Sequence, residues 1–405
     1  MLKNRENLRR LVRGAACLAA AVCAWPGAEA AWQAGLVPAL SPFNALLAVA
    51  AGTGALFMLG ALALAAVCAF RPRAFCRWLC PVGTCQDAVS YRSRRRAWTG
   101  RVPRVGAALV FVGAGAALAG YPLFGWLDPL VLFNAVFGLA RDHLEPRDWL
   151  AAAGLPLLLA AALLAPGLWC GRLCPLGALQ DLLRLPLRLK ADGVEKGSRE
   201  AAAIGRRAFL GLGLGAGYRL ALPPGRAAQP EVLRPPASGR EARFTRLCVR
   251  CGACVRACPS GIIRFGGKDA GWAGVLAPEV TFDYSYCAPD CAACGQSCPS
   301  GAIPRFTAEK KFAVPMGLAR VDEEQCLLGQ NRECGACAGA CRFGALDLAW
   351  DPVNMTSRVV VDPKACTGCG ACEYVCPASP RAIRVKPLRR AAERKRRERN
   401  QRRGQ

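Results

Sequence analysis

The chain has 405 residues, of which 53% are hydrophobic and 24 are cysteines, and its 54 Lys and Arg against 28 Asp and Glu give a net charge of +26. This composition excludes an ordinary soluble enzyme and a small secreted disulfide scaffold. It predicts a membrane protein joined to a metal-rich domain.

The first 30 residues have two interpretations. A basic start, a short apolar core and the small residues that end "WPGAEA" are typical of a cleavable secretory signal. The same segment also fits a first transmembrane helix. Both interpretations place residues 31–43 outside the membrane.

Three apolar stretches have the length that a bilayer requires, about 20 residues. They cover residues 44–70, 105–124 and 149–169. The connection 71–105 carries nine Arg against the single acid Asp87, whereas 125–148 carries two Arg against four acids. Positive loops stay in the cytoplasm, so residues 71–105 and 170–207 are predicted inside.

Two cytoplasmic segments repeat one another. "CRWLCPVGTCQDAV" and "CGRLCPLGALQDLL" share Cys, Leu-Cys-Pro, Gly and Gln-Asp at equal offsets, which indicates an internal duplication. Their four thiols fit an iron–sulfur or other redox site, a four-cysteine zinc site, or unligated cysteines. The residues concerned are Cys76, Cys80, Cys170 and Cys174. Four other cysteines are interpreted as small apolar residues that pack between helices: Cys17, Cys23, Cys68 and Cys85.

The short apolar segment 129–140 is predicted to be re-entrant or interfacial. With Trp126, Asp128 and His143 beside it, it is the candidate quinol contact, and capping of the helix bundle is the alternative. His143 is a solvated loop residue or a proton acceptor. Because it is the single histidine, bis-histidine haem within this chain is excluded.

Arg206 and Arg207 precede a Gly-rich apolar run over residues 208–224, as in a twin-arginine export signal. Such a signal inside a chain would export a folded cofactor domain and leave its own segment as a membrane anchor. The alternative is a basic pair on a segment that lies on the inner membrane surface.

Four cysteine runs occupy the second half. Residues 248–258 and 366–376 are C-x2-C-x2-C-x3-C followed by Pro, the bacterial ferredoxin pattern for [4Fe–4S] clusters. Residues 287–298 and 326–341 lengthen the first gap to three and seven residues. In a two-cluster fold the fourth cysteine of a run reaches the neighbouring cluster. The predicted ligands are Cys248, Cys251, Cys254, Cys258, Cys287, Cys291, Cys294, Cys298, Cys326, Cys334, Cys337, Cys341, Cys366, Cys369, Cys372 and Cys376.

Short strand-like pieces flank these runs, including residues 301–306 after the second run. The predicted fold class is therefore a membrane α-helical bundle of about four or five helices, internally duplicated, followed by an α+β polyferredoxin domain of four ferredoxin-like cluster units. The predicted segments are 1–30 (signal or first helix), 31–190 (membrane domain), 191–235 (twin-arginine segment and linker), 236–386 (four-cluster domain) and 387–405 (basic tail).

The membrane half, with its C-x3-C-P repeats, resembles NapH-type membrane ferredoxins and, more loosely, NosR and CcoG. The second half resembles NapG/MauM-type polyferredoxins. The chain differs from both groups in that the two are fused, and the NapH-like half lacks the ferredoxin motifs that usually follow its last helix. The resemblance implies an electron-transfer protein of the bacterial inner membrane, or the quinol-oxidising module of a larger oxidoreductase, with its ferredoxin domain in the periplasm.

The resemblance implies four [4Fe–4S] clusters, quinol as the electron donor and a periplasmic reductase or c-type cytochrome as the acceptor. A fifth metal site would lie at the C-x3-C-P pairs. A CcoG-like maturation or metal-reduction factor is the alternative function. The tail 387–405, with nine Arg and Lys against two Glu, is a solvated segment or a dock for anionic lipid or an acidic redox partner. Nucleic acid would require a cytoplasmic location, which disfavours it as a partner.

Overall fold

The computed structural model describes residues 2–25, 31–52, 59–90, 101–140, 144–185, 205–206, 208–217, 232–267, 274–352 and 356–388. Up to residue 217 the regular structure is helical, and short strands begin after residue 232. His143, Arg207 and the tail from residue 389 lie outside the described residues.

The first half contains twelve α-helices among its described residues. They are α1 (Leu2–Ala24), α2 (Gln33–Ala39), α3 (Pro42–Ala50), α4 (Leu59–Phe70), α5 (Ala74–Trp78), α6 (Pro81–Val89), α7 (Val105–Leu118), α8 (Pro129–Val136), α9 (Pro146–Ala152), α10 (Gly154–Leu164), α11 (Pro175–Leu183) and α12 (Ala208–Gly217).

Within the described ranges, no single helix is both long enough and apolar enough to cross a bilayer. Two bent pairs satisfy the length and composition together, α2 with α3 at 87° and α9 with α10 at 41°. The predicted spans coincide with α3 and α4, with α7, and with α9 and α10. Residues 53–58, within the first predicted span, lie outside the described part of the chain.

The first C-x3-C-P motif turns from one helix into the next. Cys76 lies in α5, and Cys80 is the N-cap of α6, whose first residue is Pro81. Proline suits this position because the first N–H of a helix has no partner within the helix. The backbone N–H of Gly83 donates to Cys80 Sγ at 3.4 Å, so the cysteine side chain caps the new helix.

The second motif repeats this arrangement. Cys170 lies in a π-helical turn, Trp169–Leu173, and Cys174 caps α11, which begins at Pro175. The backbone N–H of Gly177 donates to Cys174 Sγ, again at 3.4 Å. The proline of each motif is therefore the first residue of the following helix, and the preceding helical turn ends before it.

Helix α1 packs into the first half through one buried arginine. Arg13 is 8% exposed, and its guanidinium donates to Asp87 Oδ2 at 2.6 Å and to Thr84 Oγ1 at 3.3 Å, both in α6. The segment that fits a secretory signal thus makes a specific polar contact with the first C-x3-C-P repeat.

Helix α12 lies directly against α7 because glycines allow the backbones to touch. A Cβ atom on Gly215 would lie 2.2 Å from the Val112 carbonyl oxygen, and one on Gly115 would lie 2.3 Å from the Leu212 carbonyl oxygen. Small residues four apart permit such close helix contacts. The Gly-rich run after the two arginines is therefore a packing surface for α7.

The second half contains five short helices and six strands among its described residues. They are α13 (Glu241–Leu247), α14 (Ala253–Ala257), β1 (Ile263–Phe265), β2 (Pro278–Val280), α15 (Ala293–Ser297), β3 (Gly317–Val321), α16 (Ala336–Gly339), β4 (Leu346–Asp351), β5 (Thr356–Val361), α17 (Ala371–Tyr374) and β6 (Ile383–Pro387).

The strands form three antiparallel pairs, β1 with β2, β3 with β6, and β4 with β5. β1 and β2 lie between the first and second cysteine runs, and β4 and β5 lie between the third and fourth. β3 precedes the third run and β6 follows the fourth. The runs are thus arranged as two pairs instead of four equal copies. The strand predicted over residues 301–306 is wrong, since this segment has no ladder partner and Pro304 lacks an N–H.

Ion pairs join the two halves. Arg264 in β1 is 3% exposed and contacts Asp148 at 2.7 Å and Glu145 at 3.3 Å, both at the start of α9. A second ion pair has its arginine in the helical half, since Arg147 of α9 pairs with Glu279 of β2. The second half therefore packs on the segment that follows the predicted re-entrant stretch.

A second contact involves α2 and α8. Arg256 in α14 donates to the Ala34 carbonyl at 2.7 Å and to Asn134 Oδ1 at 3.2 Å. A Cβ atom on Gly35 would lie 2.2 Å from the Ser297 carbonyl oxygen, so α15 touches α2 at this glycine. Both contact regions belong to the segments that the arginine distribution predicts outside the membrane.

Candidate metal centres

The first run of the ferredoxin half is completed by a cysteine from the second run. Burial is the main cause that raises the pKa of Cys248, Cys251 and Cys254, and the nearby Cys298 raises each of them further. These four residues, Cys248, Cys251, Cys254 and Cys298, are called set 1.

The second run receives the fourth cysteine of the first run in exchange. Burial raises the pKa of Cys287 to about 11, and Cys258 and Cys291 are the neighbouring thiols that raise it further. Cys294 has the same neighbours. Set 2 is Cys258, Cys287, Cys291 and Cys294.

The third and fourth runs exchange cysteines in the same way. One cavity is lined by Cys326, Cys334 and Cys337 of the third run together with Cys376 of the fourth, and these form set 3. A second cavity is lined by Cys341 of the third run and by three cysteines of the fourth run. Set 4 is Cys341, Cys366, Cys369 and Cys372.

Backbone geometry holds the sets in place. The N–H of Ile303 donates to Cys298 Sγ at 3.4 Å, and the N–H of Ala345 donates to Cys341 Sγ at 3.3 Å. Gly370 precedes α17 with φ +84°, and a Cβ atom there would lie 2.2 Å from the Phe282 ring. Only glycine satisfies both conditions, because other residues are strained at positive φ.

Buried cations lie beside the first two sets, and the sequence analysis did not identify them. Lys311 is 2% exposed, donates to the Ala288 and Cys291 carbonyls, and lowers the pKa of Cys287. Arg256 is buried next to set 1 and lowers the pKa of Cys251. No spacing rule signals these residues. Their positive charge offsets the negative charge that thiolate-bound clusters bring into the interior.

The four sets fit [4Fe–4S] clusters. Each contains three cysteines of one run and one from its partner run, which is the ferredoxin arrangement. Across the described ranges, no group of three or more His, Cys, Asp or Glu side chains is placed to hold a single metal ion. A mononuclear zinc site requires four such ligands at about 2.0 to 2.3 Å from one ion. The exchange of the fourth cysteine between partner runs is the pattern that [4Fe–4S] ferredoxins use.

The burial of these thiols has a consequence for cluster uptake. Burial raises the pKa of Cys251 to about 12, so without a cluster this thiol keeps its proton at neutral pH. Metal ligands must be thiolates. Cluster insertion into set 1 therefore releases protons, and it becomes more favourable as pH rises.

The two C-x3-C-P motifs meet in the helical half. Burial raises the pKa of Cys76 to about 12, with Cys170 of the other repeat as the next cause, and Cys76 and Cys170 also raise the pKa of Cys80 and Cys174. The four residues Cys76, Cys80, Cys170 and Cys174 are called the repeat set. Cysteines 94 positions apart in the chain thus share one buried site.

Each repeat also sends a glutamine to the first cysteine of the other repeat. The Cys170 thiol donates to Gln86 Oε1 at 2.9 Å, and Gln180 Nε2 donates to Cys76 Sγ at 3.0 Å. Both amides are buried. The shared Gln-Asp offset in the two repeats was the signal for this role, although the sequence analysis assigned none.

The aspartates of the same Gln-Asp pairs bind arginines. Asp181 accepts from Arg73 at 2.6 and 3.0 Å, and Arg73 also donates to the Cys170 carbonyl at 2.9 Å. Asp87 binds Arg13 of α1, as described above. Each repeat is thereby fixed by one ion pair to a residue outside its own motif.

The repeat set adjoins set 1. Cys80 and Cys174 belong to one apolar core that also contains Val249, and Cys251 packs against that core. A Cβ atom on Gly125 would lie 2.4 Å from the Val249 carbonyl oxygen, so the loop of set 1 reaches into the helical half. The repeat set and the loop of set 1 therefore contact the same apolar core.

The remaining sets follow in the order 1, 2, 4, 3. Cys294 of set 2 is among the charges that raise the pKa of Cys254 of set 1. The backbone N–H of Cys287 in set 2 donates to the Cys369 carbonyl of set 4 at 2.9 Å. Cys337 of set 3 is one of the neighbours of Cys372 in set 4. The chain therefore places the four ferredoxin sets in one series, and set 1, at its start, shares an apolar core with the repeat set.

The residues predicted to contact quinol do not share a surface in the described structure. Asp128 is fully buried, where it caps α8 by accepting from Leu130 N at 2.8 Å and is hydrogen-bonded to the Ser41 hydroxyl. Trp126 is 39% exposed. His143 lies outside the described residues. A quinol contact at these residues stays a prediction.

Comparison with known proteins identifies the second half. A family model described as a 4Fe-4S dicluster domain matches residues 247–328 and 332–379. The ferredoxin-type protein MauM of Methylophilus methylotrophus is 35% identical over 174 residues, which cover 40% of this chain and 74% of MauM. The chain belongs to the MauM/NapG family of ferredoxin-type proteins. Like these ferredoxins, it binds [4Fe–4S] clusters and transfers electrons.

Two further ferredoxin-type relatives match the chain. NapG of Escherichia coli K12 is 35% identical over 168 residues, 38% of this chain and 71% of NapG. NapF of the same organism is 32% identical over 147 residues, 36% of this chain and 81% of NapF. No solved structure matches the chain.

The helical half of this ferredoxin-type protein also matches an iron–sulfur family. A model described as a 4Fe-4S binding domain matches residues 53–99 and 148–192. Each matched segment contains one C-x3-C-P motif, so the two matches reproduce the internal duplication.

Proposed function

We propose that this ferredoxin-type protein is bound to the bacterial inner membrane and passes electrons from quinol to a periplasmic reductase or c-type cytochrome. The observation that carries the proposal is the series of cysteine sets. The series begins at set 1, whose loop shares an apolar core with the repeat set, and ends at set 3.

A bound [4Fe–4S] cluster takes up and releases one electron at a time. The contribution of the chain is to hold the sets close together, to exclude water and to place compensating cations. Lys311 and Arg256 are buried at sets 2 and 1 and stabilise negative charge there. We include the repeat set as a fifth cluster site, which the 4Fe-4S family match over both repeats supports.

Membrane binding is supported by the apolar side chains that the helices leave exposed. Phe70 in α4 is 75% exposed, Leu157 in α10 is 67% exposed and Phe209 in α12 is 79% exposed. Soluble monomers rarely expose large apolar patches, and here large apolar side chains are exposed on three helices. A lipid environment would cover these side chains. Retention of α1 as a membrane helix, in preference to its cleavage, is supported by the ion pair of the buried Arg13 with Asp87.

A periplasmic ferredoxin half is supported by its packing on α2 and on the start of α9, which belong to segments that carry few arginines. Replacement of Arg206 and Arg207 by Lys tests the export route. A periplasmic reporter fused after residue 388 should lose activity in the double variant, and the same change at Arg94 and Arg95 is the matched control. Equal export of the reporter from both variants would show that Arg206 and Arg207 are no export signal.

Quinol oxidation is tested with the full chain, loaded with clusters and reconstituted in liposomes under anaerobic conditions. Addition of a reduced quinol analogue should bleach the visible absorbance of the clusters. A Cys174→Ser variant should bleach far more slowly because the repeat set is the entry point, whereas Cys23→Ser should behave as the unmodified chain. If quinol reduces the clusters of neither the unmodified chain nor Cys23→Ser, while dithionite reduces the clusters of both, the quinol-linked proposal fails. A maturation or metal-reduction role then gains support.

A further inference from the structure

Set 3 is the most open of the four ferredoxin sets. Sets 1, 2 and 4 each contain at least one fully buried cysteine, whereas all four cysteines of set 3 are half-buried. The seven-residue insertion 327–333 lies between its first two cysteines, and the last five residues of this insertion are exposed. Set 3 is also the last member of the series.

An exposed apolar surface adjoins set 3. Leu346 and Val359 are buried on the inner face of the β4–β5 pair, and Val359 lines the cavity of set 3. Further along the same face of β4, Leu348 is 48% exposed and Trp350 is 59% exposed. Leu348 Cδ1 lies 3.8 Å from the position of a Cβ atom on Gly335, which stands between two cysteines of set 3.

Acidic side chains flank the first two cysteines of set 3 in the chain. Asp322, Glu323 and Glu324 precede the first cysteine of set 3, and Glu333 directly precedes its second. All four are exposed, and Arg332 is the one basic residue between positions 322 and 334. The backbone holds the acids near the set, since Gln330 Nε2 donates to the Glu324 carbonyl at 3.0 Å. Four acids against one arginine give residues 322–334, which carry the first two cysteines of set 3, a negative net charge.

We propose that Leu348 and Trp350, together with the acidic residues Asp322, Glu323, Glu324 and Glu333, form the docking surface for the electron acceptor. The acceptor is a redox protein with a basic surface around its own redox group. Complementary charge accelerates encounter and orients the partners, and a small apolar centre suits a weak, short-lived redox contact. The inference rests on the proposed function and adds the exit site and the charge of the partner.

The test uses the full chain in detergent, loaded with clusters, reduced with dithionite and mixed with an oxidant in a stopped-flow instrument. Mitochondrial cytochrome c serves as the basic protein oxidant and ferricyanide as a small anionic one. The triple variant Glu323→Gln, Glu324→Gln and Glu333→Gln should lower the second-order rate constant with cytochrome c by about tenfold at low ionic strength. It should raise the rate with ferricyanide, because repulsion of the anion is reduced.

A matched triple variant removes exposed acids elsewhere: Glu6→Gln, Asp290→Asn and Glu309→Gln. It should change the cytochrome c rate by less than about twofold. Leu348→Ser with Trp350→Ser should lower that rate at high ionic strength as well, because apolar contact is not screened by salt. Iron content equal to that of the unmodified chain shows that a variant is folded. Equal effects of the two triple variants, or no effect of either, would overturn the proposal.

Two other occupants of the surface are separate outcomes, and each overturns the proposal. A dimer that Leu348→Ser and Trp350→Ser convert to a monomer would assign the surface to a second copy of the chain. Truncation after Lys386 tests the basic tail as the occupant. If it raises the rate constant with cytochrome c, and the triple variant then has no further effect, the tail covers the surface. Failure of the surface is distinct from failure of the proposed function, because the latter is measured by the reduction of the clusters with quinol, which does not involve this surface.

Discussion

Single cysteines complete the set of the neighbouring run, so a mutation in one run affects the cluster of another. Cys298 belongs to the second run but adjoins Cys248, Cys251 and Cys254 of the first. We expect Cys298→Ser to remove the set 1 cluster and to leave set 2 intact. The spectrum of the reduced protein by electron paramagnetic resonance should then match that of Cys248→Ser.

Cys287→Ser and Cys85→Ser are the controls for this prediction. The first should remove the set 2 cluster and give a different spectrum, and the second should leave all clusters in place because Cys85 belongs to no set. A Cys298→Ser spectrum that matches Cys287→Ser would contradict the exchange of fourth cysteines between runs.

The glutamines that cross between the repeats should adjust the redox potential of the repeat set. Gln180 is fully buried and donates to Cys76 Sγ at 3.0 Å. Hydrogen bonds to ligating sulfur stabilise the more negative, reduced cluster. Gln180→Leu should therefore lower the midpoint potential of this cluster, by about 60 mV for the loss of about 1.4 kcal/mol. Potentiometric titration measures the change.

Gln296→Leu is the control, since Gln296 is exposed beside set 2. Its substitution should leave every potential unchanged. An unchanged potential in Gln180→Leu, with full cluster content, would show that the amide has no electronic effect on the repeat set.

At the scale of elements, the docking of β1 on α9 depends on one buried arginine. Arg264 is 3% exposed and holds Asp148, which is 5% exposed, and Glu145. Removal of one partner leaves buried charge uncompensated, at a cost of about 3–5 kcal/mol. Arg264→Met should therefore lower the unfolding temperature of the cluster-loaded chain and weaken cross-linking between the two halves.

Arg243→Met is the matched control, because Arg243 is exposed on α13. It should leave the unfolding temperature within about 1 °C of the unmodified chain. If Arg264→Met also changes the unfolding temperature by no more than this, the ion pairs of Arg264 do not hold the two halves together.

At the scale of the whole molecule, the cysteine sets determine the metal content. Four ferredoxin sets require about 16 iron and 16 sulfide ions per chain, and the repeat set raises each number to about 20. Anaerobic iron and sulfide analysis of the purified chain measures both. Cys80→Ser should return the values to about 16. Zinc in place of iron in the unmodified chain would contradict the iron–sulfur assignment.

The identity of the cluster ligands could be predicted from the sequence because it depends on local spacing. In residues 248–258 and 366–376, three cysteines within seven residues can wrap one small metal core, and three further residues precede the fourth cysteine. The duplication of the C-x3-C-P motif could be predicted for the same reason. Local patterns failed at residues 301–306, where an apolar segment has a strand-like composition but Pro304 and the absence of a ladder partner leave it irregular.

Contacts between residues far apart in the chain were decided by the tertiary structure alone. The approach of Cys76 to Cys170, the ion pair of Arg264 with Asp148 and the hydrogen bond from Cys287 to Cys369 join residues 94, 116 and 82 positions apart. No local spacing rule describes such pairs, because they form only when whole elements pack. The sequence by itself determined which cysteines can bind clusters. The packing of the two halves decided the order of the sets, from the repeat set through sets 1, 2 and 4 to set 3.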